Sequence, residues 1–149
     1  MSSYFDASFL VSLYSADANS AAAIQFLRAV TGALLITTFA ELEFVNAMEL
    51  RIFRKEVSPA EARSSIEVFE RNLHSGAFQL VPLPEQLFGR ARELSRRTTH
   101  RLGTRAADLL HVAAALELGS DSFLSFDRQQ RKLAQSVKLK LNPLPPEMR

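Results

Sequence analysis

The chain contains no cysteine. Disulfides and thiolate metal cages are therefore excluded, while oxygen ligands for hard cations remain available. It also lacks any apolar stretch long enough to span a bilayer. Met1 is followed by Ser2 and Ser3 rather than by the basic region of a secretory signal. A cytoplasmic protein with no membrane segment is the expectation. Neither sign of charge dominates: 18 Lys and Arg stand against 16 Asp and Glu, leaving +2, only a mild pointer to a polyanionic partner. No repeat, low-complexity segment or linker interrupts the 149 residues, so one domain over 1–149 is expected. At 47% hydrophobic and 23% charged residues, the composition is that of a globular domain able to bury a core without staples.

The order of elements is strand then helix, repeated. "SYF" ahead of Asp6 is a short strand, and the helix after it starts at Ser8 as N-cap. "SAAAIQFLRAVTG" is a helix ending near Gly32, "ALLIT" (33–37) a buried strand, and "FAELEFVNAMELRIFRKE" a long helix. The next helix opens with Ser58, Pro59 and Glu61 in capping-box positions and closes at Gly76. "AFQLVPLP" (77–84) is a strand and "EQLFGRARELSRRTTH" a basic helix. "TRAADLLHVAAALELG" is a helix with Thr104 as its cap. "SFLSF" (122–126) is a strand, "DRQQRKLAQS" a helix, "VKLKL" (137–141) an edge strand, and "NPLPPEMR" a turn-like tail. Such alternation predicts an α/β fold, a three-layer α/β/α sandwich around a short, mainly parallel central sheet. Its strands are short and apolar throughout, as strands covered on both faces should be.

The carboxylates occupy telling places on that scheme. Asp6 directly follows the first strand and Asp127 directly follows "SFLSF". Glu43, with Glu41 beside it, lies in the first turns of the helix after "ALLIT", and Asp108 in the first turn of the "AADLLHV" helix. Ligands of open α/β sheets collect outside the carboxyl ends of the strands, so these four acids can share one cleft. Clustered carboxylates repel, and a bound Mg²⁺ or Mn²⁺ removes the conflict. Such an ion can activate water and neutralise charge on a phosphodiester. Each acid also has a structural reading. Asp108 suits a helix dipole, Asp127 an N-cap, and Glu41 and Glu43 a first turn. Asp6, set in an apolar run, is the hardest to explain that way.

The segments "YFDASFLVSLY", "ITTFAELEFVNAM", "VSPAEARSSIEVFERN" and "RAADLLHVAAALELGSDSFLSFD" together resemble the PIN-domain family, and within it the VapC-type toxin ribonucleases of toxin–antitoxin pairs. By motif position Asp6, Glu43, Asp108 and Asp127 match the family's acids, with Glu41 the neighbour that competes for the second place. Thr37 or Thr38 matches a small hydroxyl residue ahead of that acid. The resemblance implies an endoribonuclease dependent on Mg²⁺ or Mn²⁺, a homodimer, and inhibition by a small cognate antitoxin. Arg105, three before Asp108, and Arg128, after Asp127, are then the candidate RNA-binding residues on the rim. Arg96, Arg97 and Arg101 are weaker candidates, and His111 suits a hydrogen-bonded structural histidine. Phe39, Phe44, Met48, Ile52 and Phe53 exceed what one buried helix face needs, which suits an antitoxin groove or dimer surface.

Other function classes stand beside this one. A PIN-like nuclease of RNA processing would share the site. A phosphatase-like hydrolase with Asp6 as nucleophile would want a second Asp two residues on, where this chain has Ser8. A non-catalytic cation- or partner-binding module needs the acids but no turnover.

Overall fold

The computed structural model describes residues 1–146. Five strands form one sheet: β1 (Ser2–Phe5), β2 (Ala33–Thr37), β3 (Gln79–Val81), β4 (Ser122–Leu124) and β5 (Lys140–Leu141). Their order is β3-β2-β1-β4-β5 and every pairing is parallel. Parallel neighbours require crossover connections, and helices supply them. α1 (Ala7–Tyr14) and α2 (Ser20–Ala29) join β1 to β2, and α3 (Thr38–Phe53) and α4 (Pro59–His74) join β2 to β3. α5 (Leu87–Leu102) and α6 (Ala106–Glu117) join β3 to β4, and α7 (Arg128–Ser136) joins β4 to β5.

Central β1 feeds both cores because adjacent side chains on a strand point to opposite faces. Phe5 packs with Phe9, Ile36, Phe44, Met48 and Phe69 under α1 to α4. Tyr4 packs with Leu94, Val112, Phe123 and Leu133 under α5 to α7. The result is the expected three-layer sandwich, and its sheet is wholly rather than mainly parallel.

Several local expectations are corrected. The N-cap of α1 is Asp6, whose carboxylate accepts from Phe9 N; Ser8 turns its hydroxyl back onto that carboxylate instead. Arg105, not Thr104, occupies the N-cap position of α6, and Thr104 Oγ1 bonds Thr99 Oγ1. β3 is three residues long because Pro82 and Pro84 have no N–H to continue a ladder. β5 begins only at Lys140. Lys138 adopts a left-handed backbone (φ 66°) and Leu139 N bonds back to Ala134 O, closing α7. The capping box of Ser58 and Glu61 at α4 is present as expected. The turn-like tail is described to Pro146, and residues 147–149 lie outside the described residues.

Phe44 is fully buried with its ring 4.5 Å from Phe69, whereas Phe53 on the same helix is 82% exposed. Phe44→Ala should therefore lower stability by about 3–5 kcal/mol and Phe53→Ser by no more than about 0.5 kcal/mol, both measured by urea denaturation.

Candidate active site

Because all strands run in one direction, their carboxyl ends meet on one rim. α1, α3 and α7 begin there directly after β1, β2 and β4, and α6, which returns to β4, begins there too. Asp6 leaves β1 at this rim and Asp127 caps α7 just past β4. Two serine hydroxyls tie these turns together. Asp6 Oδ1 accepts from Phe9 N (2.9 Å) and Ser8 Oγ (2.8 Å), and Oδ2 accepts from Ser125 Oγ (2.6 Å). Ser8 Oγ in turn accepts from Phe126 N (3.0 Å), and Ser125 Oγ from Asp127 N (3.0 Å).

Asp6 is fully buried, and no Lys or Arg among the described residues forms an ion pair with it. Burial pushes its carboxyl up to about 6, against the opposing pull of His111, Ser125, Phe9 and Ser8. Three protons reach it, from Phe9 N, Ser125 Oγ and Ser8 Oγ. Ser8 Oγ also lies 2.9 Å from Oδ2, so its one proton is shared between the two oxygens and each oxygen has two protein contacts. These donors are neutral and leave the charge itself without a cationic partner.

A second network adjoins the first. Thr37 Oγ1 caps α3 by accepting from Ala40 N and bonds Tyr4 OH at 3.1 Å. Tyr4 OH bonds His111 Nδ1 at 2.7 Å, and His111 Nε2 bonds Glu43 Oε1. The two ring nitrogens thus link the Tyr4 hydroxyl to the Glu43 carboxylate. Phe39 stacks on the imidazole at 5.0 Å. Burial pushes the Tyr4 hydroxyl pKa up; Thr37 opposes this, and the charges of Asp6 and Glu43 reinforce it. His111 is thus a hydrogen-bonded histidine, as its sequence context suggested, and what it holds is one of the candidate acids.

The two glutamates on α3 part company. Glu43 turns to His111 on α6, while Glu41 lines a cleft of about 470 Å³ with Leu42, Val45, Phe69 and Leu73. Asp108, buried in the first turn of α6, accepts from Arg105 N through Oδ2 at 2.8 Å. Asp127 accepts from Gln130 N through Oδ1 at 2.9 Å. The exposed Arg105 and Arg128 adjoin these two acids along the chain.

The expectation of four acids gathered as one cage is therefore modified. Among the described residues no three of His, Asp and Glu form a group able to hold a metal by themselves. Each acid spends at least one oxygen on a protein donor. The donor set still suits a hard cation, since Mg²⁺ usually takes one or two carboxylates and keeps waters or substrate phosphates for the rest. Sequence reasoning missed the roles of Ser8, Ser125 and Arg131. Arg131 carries no motif signal in the chain. It is half-buried and donates Nη1 to Ser125 O (2.9 Å) and Asn142 Oδ1 (3.1 Å).

A family model described as PIN domain matches residues 3–136. No curated protein gives a significant match. Among solved structures, the chain is similar to VapC20 of Mycobacterium tuberculosis, described as a sarcin-ricin loop cleaving toxin. That match has a TM-score of 0.73 at 15% identity and covers 96% of this chain and 99% of that one. It is similar to VapBC2 of Rickettsia felis bound to a promoter DNA fragment, with a TM-score of 0.69 at 12% identity over 97% and 100% of the two chains. It is also similar to a toxin–antitoxin complex from Klebsiella pneumoniae, with a TM-score of 0.61 at 14% identity over 84% and 86%. At these identities the likeness is one of fold. Among the described residues no helix is long and apolar enough to cross a membrane.

The Asp6 carboxyl rises from 3.8 unfolded to about 6 folded. Its contribution to stability is thus full below the unfolded value and is lost as pH rises through the folded one. Metal-free protein should lose about 3 kcal/mol from this group between about pH 4 and 7. Urea denaturation of wild type and Asp6→Asn in chelator should show that difference between their pH profiles. His111→Ala removes one of the two partners of the buried Tyr4 hydroxyl and should cost about 1–3 kcal/mol, with His111→Gln recovering part of it in the same measurement.

Proposed function

This chain belongs to the PIN domain family, and on that premise we propose that it is a metal-dependent endoribonuclease acting as the toxin of a toxin–antitoxin pair. The observation that carries the reading is Asp6. It is a buried carboxylate at the carboxyl end of the central strand, held by neutral donors and without a Lys or Arg ion pair among the described residues. Its neighbours on the rim, Asp127, Glu43 and Asp108, supply the further oxygens. VapC20 is described as a sarcin-ricin loop cleaving toxin, and the Klebsiella pneumoniae structure as a toxin–antitoxin complex; both descriptions support the same reading for this fold.

In this account Asp6, Glu43, Asp108 and Asp127 hold Mg²⁺ or Mn²⁺. When bound, such an ion would activate a water and offset charge on the phosphodiester. The protein's own part is orientation. Ser8 and Ser125 fix the Asp6 carboxylate, His111 fixes Glu43, and the capping bonds fix Asp108 and Asp127. Arg105 and Arg128 bind the RNA backbone at the rim, where positive charge does not cancel the acids. The substrate is RNA, the regulating partner is a small antitoxin, and the working form is a cytoplasmic homodimer. Phe53 and Leu42, exposed on α3 at 82% and 64%, supply apolar surface for such partners. Phe44 and Met48 are core residues and do not contribute to it.

The protein freed of any antitoxin should cut total RNA with Mg²⁺ or Mn²⁺ and stop when chelator is added. Asp6→Asn and Asp108→Asn should each slow cleavage by at least about a hundredfold while circular dichroism shows the fold intact. Wild-type protein that leaves RNA whole in both metals would contradict the reading.

A further inference from the structure

A cavity of about 320 Å³ opens beside Asp127, walled by Phe126, Arg128, Arg131, Lys132 and Leu141. Its size is at the lower end for ligand sites. Three cations line it, and among the described residues that line it there is no Asp or Glu. Like charges gathered around a hollow repel one another, and an anion relieves that repulsion. The group is also built rather than incidental. Arg131 is held by two bonds through Nη1, to the Ser125 carbonyl and to Asn142. The same Ser125 donates its hydroxyl to Asp6, so one residue separates this guanidinium from the central acid. Phe126 and Arg128, two of the walls, flank Asp127 in the chain.

The chemistry of the lining selects among anions. Arginine forks suit phosphate oxygens, and an apolar floor suits the face of a sugar or base. Phe126 stacks on Phe9 at 5.2 Å, which keeps that floor in place. We propose that this cavity seats a backbone phosphate and adjoining nucleoside of a single RNA strand, one step along from the phosphodiester held at the acids. Arg131 is the fixed anchor, and the exposed Arg128 and Lys132 close on the phosphate from the first turns of α7. The proposal rests on the ribonuclease reading for its substrate and adds where the strand runs: from the acids past Asp127 toward α7.

The test is binding of a short labelled oligoribonucleotide of mixed sequence, followed by anisotropy in chelator across a salt series. Wild type is compared with Arg128→Ala/Lys132→Ala and with Arg54→Ala/Arg63→Ala, which removes equal charge from α4 and the end of α3. The first variant should bind about tenfold more weakly, and the slope of log affinity against log salt should fall by about 1.4, roughly 0.7 for each lost cation. The control should keep the wild-type slope. Both altered side chains of the first variant are exposed, and circular dichroism verifies its fold; Lys132→Glu alone should shift affinity in the same direction. Unchanged affinity and slope in the first variant would overturn the proposal, as would failure of wild type to bind. Unchanged RNA binding with loss of binding to an acidic peptide would also overturn it, in favour of a protein partner. Cleavage is scored separately with Mg²⁺. RNA that is bound as proposed but never cut would remove the ribonuclease reading and leave the phosphate site standing.

Discussion

The structure turns on one buried carboxylate. Asp6 receives protons from Ser8, Phe9 and Ser125, and through those bonds the β1–α1 turn is joined to the β4–α7 turn. Ser8 and Ser125 also receive Phe126 N and Asp127 N, so both ends of the joint are tied twice. A carboxylate so placed cannot relax into solvent, and its charge costs free energy unless something compensates it. Backbone and hydroxyl donors do part of that work. The remainder is the reason to expect a cation at this rim.

The parallel sheet is what makes the arrangement possible. With every strand pointing one way, segments far apart in sequence deliver their next residues to one edge. Tyr4 and Phe5 then divide the work of the central strand. Phe5 anchors the layer of α1 to α4, and Tyr4 anchors the other layer while carrying the hydroxyl that positions His111. The same two residues that build the cores thus hold the site between them. A change at Tyr4 affects packing and site geometry together.

Much of this was legible in the chain. Short apolar runs alternating with helical periods are a local signal, and they announced the α/β sandwich. The placement of Asp6 and Asp127 after strands was legible for the same reason. What stayed hidden depends on contacts across the fold. Ser125 meets Asp6 over a separation of 119 residues, and Tyr4 meets His111 over 107. No spacing rule encodes such meetings. Ser8 was mistaken for a cap because a serine two residues after an aspartate can serve either role, and only the carboxylate's tertiary partners decide. Arg131 was hidden because its partners, the Ser125 carbonyl and Asn142, are met only across the fold. The separation of Glu41 from Glu43 needed the direction of α3 relative to α6.

The central claim is that the uncompensated charge of Asp6 is balanced by a divalent cation. Crystals soaked in Mn²⁺ and measured at its absorption edge test it without any assay of turnover. The account predicts an anomalous peak against the Asp6 carboxylate, lost in Asp6→Asn crystals of the same form. A fully occupied peak elsewhere on the molecule, with none at Asp6, would contradict it.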